Sequence, residues 1–295
     1  MTATNDRDDT LVVSVDQLCQ HLSAIAPLRL AESWDNVGLL VGDRNRHAGR
    51  VMTCLTLTPA VVDEAVTEKV DLIIAHHPMP FKPLARITSD SITGGMLLQL
   101  IQAGVAVYSA HTAFDSAANG INQDWAERLE LHEIRPLIDP TADLASAPTA
   151  TFEVKDGAAG RYGLWDPPSS FGELTRRAAD VCSADNVRRI GSPDKAITRV
   201  AIACGSGGSF LSAAKRKGCD AMVTGEATFH TCLEAESLGI GLILVGHYQS
   251  ERFAMDRLAK TLSREFPALV VWASDQESDP IECLNGLRAN GDENR

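Results

Sequence analysis

Arg50-Val51-Met52-Thr53, continuing to Asp71-Leu72-Ile73-Ile74-Ala75, matches Arg199-Val200-Ala201-Ile202, continuing to Asp220-Ala221-Met222-Val223-Thr224. The offset is 149 residues at both ends, so the spacing is kept without a gap. Each copy reads as a buried strand, an amphipathic helix and a second buried strand. Apolar runs of strand length flank helix-spaced Val61, Val62, Ala65 and Val66 in one copy and Leu211, Ala213 and Ala214 in the other. Any two βαβ units share that pattern; gapless spacing over a whole unit is what marks a duplication.

The match resumes downstream. Ala103-Gly104-Val105-Ala106-Val107-Tyr108-Ser109-Ala110-His111 parallels Leu238-Gly239-Ile240-Gly241-Leu242-Ile243-Leu244-Val245-Gly246-His247, and an acid follows each histidine by four residues, Asp115 and Glu251. Helices are predicted after both, over about 119–131 and 250–266. Upstream, each copy opens on a capping box, Ser14-x-x-Gln17 and Ser170-x-x-Glu173. The expected fold is therefore α/β, with two duplicated α-β-(βα)3 halves over 14–134 and 151–275. Residues 135–150, with Pro136, Pro140 and Pro148, read as a linker. Residues 151–165, with Thr151 to Lys155 and Tyr162 to Trp165 around a Gly-rich turn, read as a hairpin. The termini, 1–13 and 276–295, are expected to be flexible.

Composition bounds the function. A length of 295 residues suggests two domains or one large α/β unit, and 44% hydrophobic with 22% charged residues excludes collagen-like and wholly disordered chains. The formal charge of -12 and pI near 5.1 supply no positive surface overall, which disfavours nucleic acid and anionic membranes as partners. The seven cysteines (Cys19, Cys54, Cys182, Cys204, Cys219, Cys232, Cys283) are odd in number, form no C-x-x-C and mostly keep apolar company. They read as small buried hydrophobes in a reducing compartment. The polar N-terminus resembles no secretory signal, and no apolar run reaches the ~20 residues of a membrane span. A cytoplasmic protein without membrane contact is expected.

In open α/β sheets ligands bind beyond the carboxyl ends of the strands. Of eight histidines, His76, His77, His111, His230 and His247 fall at such ends, accompanied by Asp115, Glu226 and Glu251. Imidazole and carboxylate suit Zn, Mn, Fe, Co or Ni. Adjacent His76 and His77 point apart on an extended backbone, so they suit two ions better than one, and a carboxylate such as Glu251, expected near a Ser250 helix cap, can bridge a pair. The stretch Cys204-Gly205-Ser206-Gly207-Gly208-Ser209 reads first as a tight βα turn, lacking the Lys-Ser/Thr of a phosphate-binding P-loop. Nothing in the sequence sets a base beside Cys204 to make it a nucleophile. Asp35 and Asn36, in Trp34-Asp35-Asn36-Val37-Gly38-Leu39, are candidates to line the cleft.

That last motif, together with Ala75-His76-His77-Pro78, Ala110-His111-Thr112-Ala113-Phe114-Asp115, Thr224-Gly225-Glu226 with His230, and Gly246-His247-Tyr248-Gln249-Ser250-Glu251, resembles the GTP cyclohydrolase type 2-like family in order and spacing. The family is also called Ngg-interacting factor three-like, or dinuclear metal-centre hexameric proteins. The resemblance runs from about residue 14 to 275, in the short form of the family. It implies intertwined halves with mixed sheets, a homo-hexamer, and two divalent metal ions per chain between the halves. The implied ligands are His76, His77, Asp115, His247 and Glu251: His77 and Asp115 on one ion, His76 and His247 on the other, Glu251 bridging. It further implies metal-dependent hydrolysis of a nucleotide-derived small molecule, with His111 or Glu226 transferring protons. The competing expectation is a non-catalytic metal-binding, metal-delivery or adaptor protein. Thr56 departs from the family pattern, which commonly has Asp there.

Overall fold

The structure is a computed structural model and describes residues 13–138 and 157–282. The first half contains β1 (Val13–Ser14), α1 (Val15–Ile25), β2 (Gly38–Val41), β3 (His47–Ala48), β4 (Arg50–Cys54), α2 (Pro59–Thr67), β5 (Leu72–Ala75), α3 (Ile92–Ala103), β6 (Ala106–Ser109), α4 (His111–Ser116), α5 (Ile121–Arg128) and β7 (His132–Pro136). The second contains β8 (Arg161–Ser170), α6 (Phe171–Cys182), β9 (Arg188–Ile190), β10 (Ala196–Ala203), α7 (Leu211–Arg216), β11 (Ala221–Thr224), α8 (Phe229–Leu238), β12 (Gly241–Leu244), α9 (His247–Glu251), α10 (Phe253–Glu265) and β13 (Val270–Ala273).

The repeat is visible in the hydrogen-bond register. β4 and β5 pair in parallel with Val51 opposite Leu72, and β10 and β11 do so with Val200 opposite Ala221, the same offset of 149. The repeated Asp and Arg have matching tasks. Asp71 Oδ2 accepts from the N–H groups of Gly49 and Arg50, and Asp220 Oδ2 from those of Thr198 and Arg199. The guanidinium groups of Arg50 and Arg199 donate to the carbonyls of Glu68 and Lys217. A third parallel strand follows in each half, β6 or β12, and then an antiparallel edge strand, β2 or β9. The α/β fold with mixed sheets is thus present.

Each half passes its last strand to the other's sheet. The five-stranded sheet runs β13-β4-β5-β6-β2 and the six-stranded sheet β7-β8-β10-β11-β12-β9. This exchange is what intertwines the halves. One hydrophobic cluster spans the junction, with Leu55, Phe114 and Trp125 packed beside Ile202, Val223 and Ile243. The Trp125 indole donates to the Ser250 carbonyl at 2.7 Å, so a core residue of one half holds the backbone that carries Glu251 in the other.

Local expectations divide. The first capping box is complete, with Gln17 N donating to Ser14 Oγ and Ser14 N to Gln17 Oε1; in the second, Glu173 N donates to Ser170 Oγ. The helix predicted at 250–266 starts earlier, at His247, and breaks at Arg252, so Ser250 sits inside α9 and caps nothing. The helix predicted at 119–131 is shorter, Ile121–Arg128. Tyr162–Trp165 lie in β8, which pairs with β7 and β10, while Thr151–Lys155 of the predicted hairpin lie outside the described residues. So do 139–150 of the predicted linker, whose first residues, Arg135 and Pro136, belong to β7, and the termini 1–12 and 283–295. Among the described residues the six cysteines are free, and no helix is long and apolar enough to cross a membrane.

Candidate metal centre

The donors are set by strand ends. His76 N and His77 N donate to the carbonyls of Cys54 and Leu55, extending the β5–β4 ladder past its last strand residue. Two residues past β6, His111 opens α4 with a φ of +31°, a strained value for a non-glycine residue. One helical turn on, in α4, comes Asp115. In the second half Gly246 turns the chain at φ +101°, which favours glycine, and α9 presents His247 and Glu251 from one face.

These side chains converge. Glu251, 3% exposed, has Oε2 3.2 Å from His77 Nε2 and 3.1 Å from His247 Nε2; His76 Nε2 lies 3.5 Å from Asp115 Oδ1 and 3.9 Å from Glu251 Oε2. Among the described residues three groups of donor atoms lie close enough together to hold an ion: His77 with His247 and Glu251, His76 with Asp115 and Glu251, and His76 with His77 and His111. Glu251 joins the first two groups, as a bridge must. Donor proximity differs from the implied pairing: His77 groups with His247 and His76 with Asp115. The Nε2 of His76 lies nearest Asp115 of α4, while the Nε2 of His77 lies nearest Glu251 of α9. His230 is exposed on α8 and belongs to none of the three groups.

Three of the four imidazoles are held by a polar neighbour at Nδ1. His77 is hydrogen-bonded to Thr56 Oγ1 at 2.7 Å, His111 to Asp35 Oδ1 at 2.8 Å and His247 to Glu226 Oε1 at 2.6 Å. Such outer partners fix ring orientation and tautomer and free Nε2 for a ligand. Thr56 therefore occupies a polar position after all. His76 differs: it is 2% exposed and neither ring nitrogen has a hydrogen-bond partner among the described residues. Burying two unmatched polar atoms is costly, and a cation at Nε2 removes that cost for one of them. The donor set thus fits a metal.

The electrostatics fit the same role. Burial pushes His76 well below the usual imidazole range, which keeps the ring neutral with one nitrogen lone pair available. Burial, and next the charge of Glu251, raise Asp115 to about 7. Burial would raise Glu251 too, yet its hydrogen bonds with His247 and His77 hold it well below the ordinary carboxylate range. The Glu251 hydrogen bond outweighs burial and lifts His247 to about 9, with Glu226 adding to the effect. A divalent cation among these groups reverses the balance for Asp115 and His247, favouring carboxylate and neutral imidazole.

The glycine-rich turn packs against this centre. A Cβ on Gly205 would meet Glu251 Oε1 at 2.2 Å, and Gly205 N donates to Ser250 Oγ at 2.9 Å. Only glycine lets that backbone come so close. Beside it, Cys204 Sγ donates to Asp115 Oδ1 at 3.2 Å, and burial pushes the thiol well above its ordinary range, so it is a hydrogen-bond donor and not a thiolate. Asn122 ties both together, accepting from Cys204 N and donating to the Asp115 carbonyl. Sequence patterning had no signal for Asn122 or for the thiol contact. His77, His111, Asp115, His247 and Glu251 all face one cavity of about 600 Å³, at whose mouth stand Trp34 and Phe81.

Duplicated α/β halves that exchange strands and pool histidine and carboxylate donors at their strand ends define the class of protein. Within it, the sequence profile of Duf34/NIF3 (NGG1p interacting factor 3) matches residues 13–280, and the chain belongs to that family. It is 34% identical over 239 residues to a Clostridium acetobutylicum protein named GTP cyclohydrolase 1 type 2 homolog, covering 81% of this chain and 85% of that one. It is 33% identical to a Helicobacter pylori protein named GTP cyclohydrolase 1 type 2, covering 81% and 87%, and 32% identical to NIF3-like protein 1 of Drosophila melanogaster, covering 89% and 86%. A crystal structure of a Staphylococcus aureus hypothetical protein superposes with a TM-score of 0.79 at 28% identity, covering 92% of this chain and 99% of that one.

Proposed function

We propose that this chain is a dinuclear metal-dependent hydrolase acting on a nucleotide-derived small molecule. The observation that carries the reading is the shared position of Glu251, whose carboxylate belongs both to the group with His77 and His247 and to the group with His76 and Asp115. Those five residues would hold two divalent ions, which when bound supply Lewis-acid activation of water and of a substrate oxygen. His111 stands at the edge of the cluster. Burial alone would lower it, but the Asp35 hydrogen bond prevails and raises it, so it suits the transfer of a proton from its free nitrogen. Glu226 acts through His247 by accepting a hydrogen bond from its Nδ1–H and so fixing the tautomer. The name of the Helicobacter pylori relative supports a nucleotide as substrate. The protein is further proposed to act as a homo-oligomer, a hexamer by family resemblance. Phe229 and Leu233, exposed one helical turn apart on α8, support an apolar contact between copies.

The test is a metal-loaded sample assayed against a panel of nucleotides and phosphoesters. Turnover that is lost in His247→Ala supports the hydrolase; two ions bound with no turnover of any substrate overturns it. Light scattering at micromolar protein tests assembly, and a mass near the 31.6 kDa of one chain refutes the oligomer.

A further inference from the structure

Two large aromatic side chains stand open to water at the cavity mouth, Trp34 at 59% exposure and Phe81 at 47%. Neither belongs to a core cluster, so both forgo the burial that usually places such rings. Their centroids are 5.9 Å apart with the planes tilted by 50°, and each meets the His111 ring edge-on, at 6.0 and 6.2 Å. The three rings form a continuous wall from solvent to the donor cluster.

That wall is braced from behind. Asp35, adjacent to Trp34, has a fully buried carboxylate that accepts from His111 Nδ1 and from the N–H and hydroxyl of Thr112. Asn36 Nδ2 donates at 2.7 Å to the carbonyl of Pro80, the residue before Phe81. The loop carrying Trp34 is thereby tied to the loop carrying Phe81 and to His111. Rings held in place before a ligand arrives lose little freedom on binding, which is the condition under which stacking contributes most to affinity.

We propose that Trp34 and Phe81 form a recognition platform for a flat heteroaromatic ring, placing the polar groups attached to that ring at the histidine and carboxylate cluster. The 50° tilt rules out a sandwich; the ligand ring stacks on one aromatic face and meets the other edge-on. A cavity of about 600 Å³ accepts a ligand of nucleotide size. The proposal rests on the hydrolase reading for its substrate class, but it is tested by binding and not by turnover.

The experiment is calorimetric titration of the metal-loaded protein with GTP and with tripolyphosphate, a ringless probe, for wild type, Trp34→Ala, Trp34→Phe and Phe81→Ala. The expected result is a loss of about tenfold or more in GTP affinity for Trp34→Ala, a smaller loss for Phe81→Ala and recovery of most affinity in Trp34→Phe. Tripolyphosphate affinity and metal content should stay unchanged. Equal weakening of both probes, no weakening of either, or a wild type that binds neither overturns the platform. So does a Trp34→Ala variant that keeps its GTP affinity but scatters light as a smaller species, which would assign the rings to contact between copies. Ring-selective loss of binding in a protein that turns over no substrate leaves the platform standing and removes the hydrolase reading.

Discussion

In the first half, strand β5 runs out into His76-His77, whereas the matching end of β11 in the second half has Gly225-Glu226; beyond β6 and β12 both halves keep a histidine, His111 and His247. The frames behind these ends agree in register, in the Asp71 and Asp220 clamps and in the Arg50 and Arg199 contacts. The difference has a steric cause. A Cβ on Gly225 would lie 2.6 Å from Ser250 Oγ, 2.7 Å from the Gly205 carbonyl and 3.0 Å from the Gly246 carbonyl. The position that carries the His76 side chain in one half is closed in the other by the Ser250 hydroxyl and the Gly205 and Gly246 carbonyls. Duplication thus kept what the sheet requires, while the strand ends were free to divide the labour. The first half offers His76, His77, His111 and Asp115; the second offers His247 and the one carboxylate common to both groups.

The largest expected effect breaks that division at its shared member. Glu251→Ala should lose both metal ions, whereas Asp115→Ala should keep one, as read by elemental analysis of protein purified with metal present. Retention of two ions in Glu251→Ala rejects the bridging role.

A smaller effect tests the steric cause. Gly225→Ala should destabilise the protein by roughly 2–3 kcal/mol through overpacking against backbone. The urea midpoint reports it, and an unchanged midpoint would show that the second half has room for a side chain there.

The shared frame is sharpened by paired variants. Asp71→Ala and Asp220→Ala each strip the acceptor from two backbone N–H groups, so each should cost about 1–2 kcal/mol, and by similar amounts. Urea denaturation curves differing by more than about 1 kcal/mol would mean that the clamps are not equivalent.

The smallest effect concerns the exchanged strand. Glu64 in α2 accepts from the Trp272 indole, the Ser274 hydroxyl and the N–H groups of Asp275 and Gln276, fastening β13 to the first half. Burial would raise its pKa, but these hydrogen bonds outweigh it and lower the carboxyl below its ordinary value. A group depressed in the folded state stabilises it above the unfolded pKa, near ~4.3, and loses that contribution as pH falls through the folded value. Glu64→Gln should therefore cost roughly 1 kcal/mol at pH 7, and the difference from wild type should shrink in acid. Urea midpoints for both proteins at pH 7 and pH 3 check it; a gap that widens in acid contradicts the sign.

Much of this molecule is legible before folding is considered. Asp71 and Asp220 recur at one offset because each closes the same local βαβ turn, and apolar runs mark β4, β5, β10 and β11 because a strand buried on both faces leaves few polar positions. The histidines at strand ends follow from the same reading. Thr56, Asn122 and Cys204 were not legible as members of the site. Each is an ordinary residue in its own element and acquires its role only through a partner elsewhere: His77, 21 residues on, for Thr56, and Asp115, 89 residues back, for Cys204. Glu277 belongs with them, since it accepts from Leu55 N and Thr56 N across more than 220 residues of chain.

The sequence by itself determined the duplication, the α/β class and the set of strand ends from which His76, His77, His111, His247 and Glu251 emerge. Those are properties of hydrophobic period and spacing, written within single elements. Tertiary structure alone decided the exchange of β7 and β13, the exclusion of His230, and the grouping of His76 with Asp115 and of His77 with His247. Side-chain period assigns a residue to a face of its own element, but which donors meet depends on how separate elements pack, and packing is settled through space by the whole core.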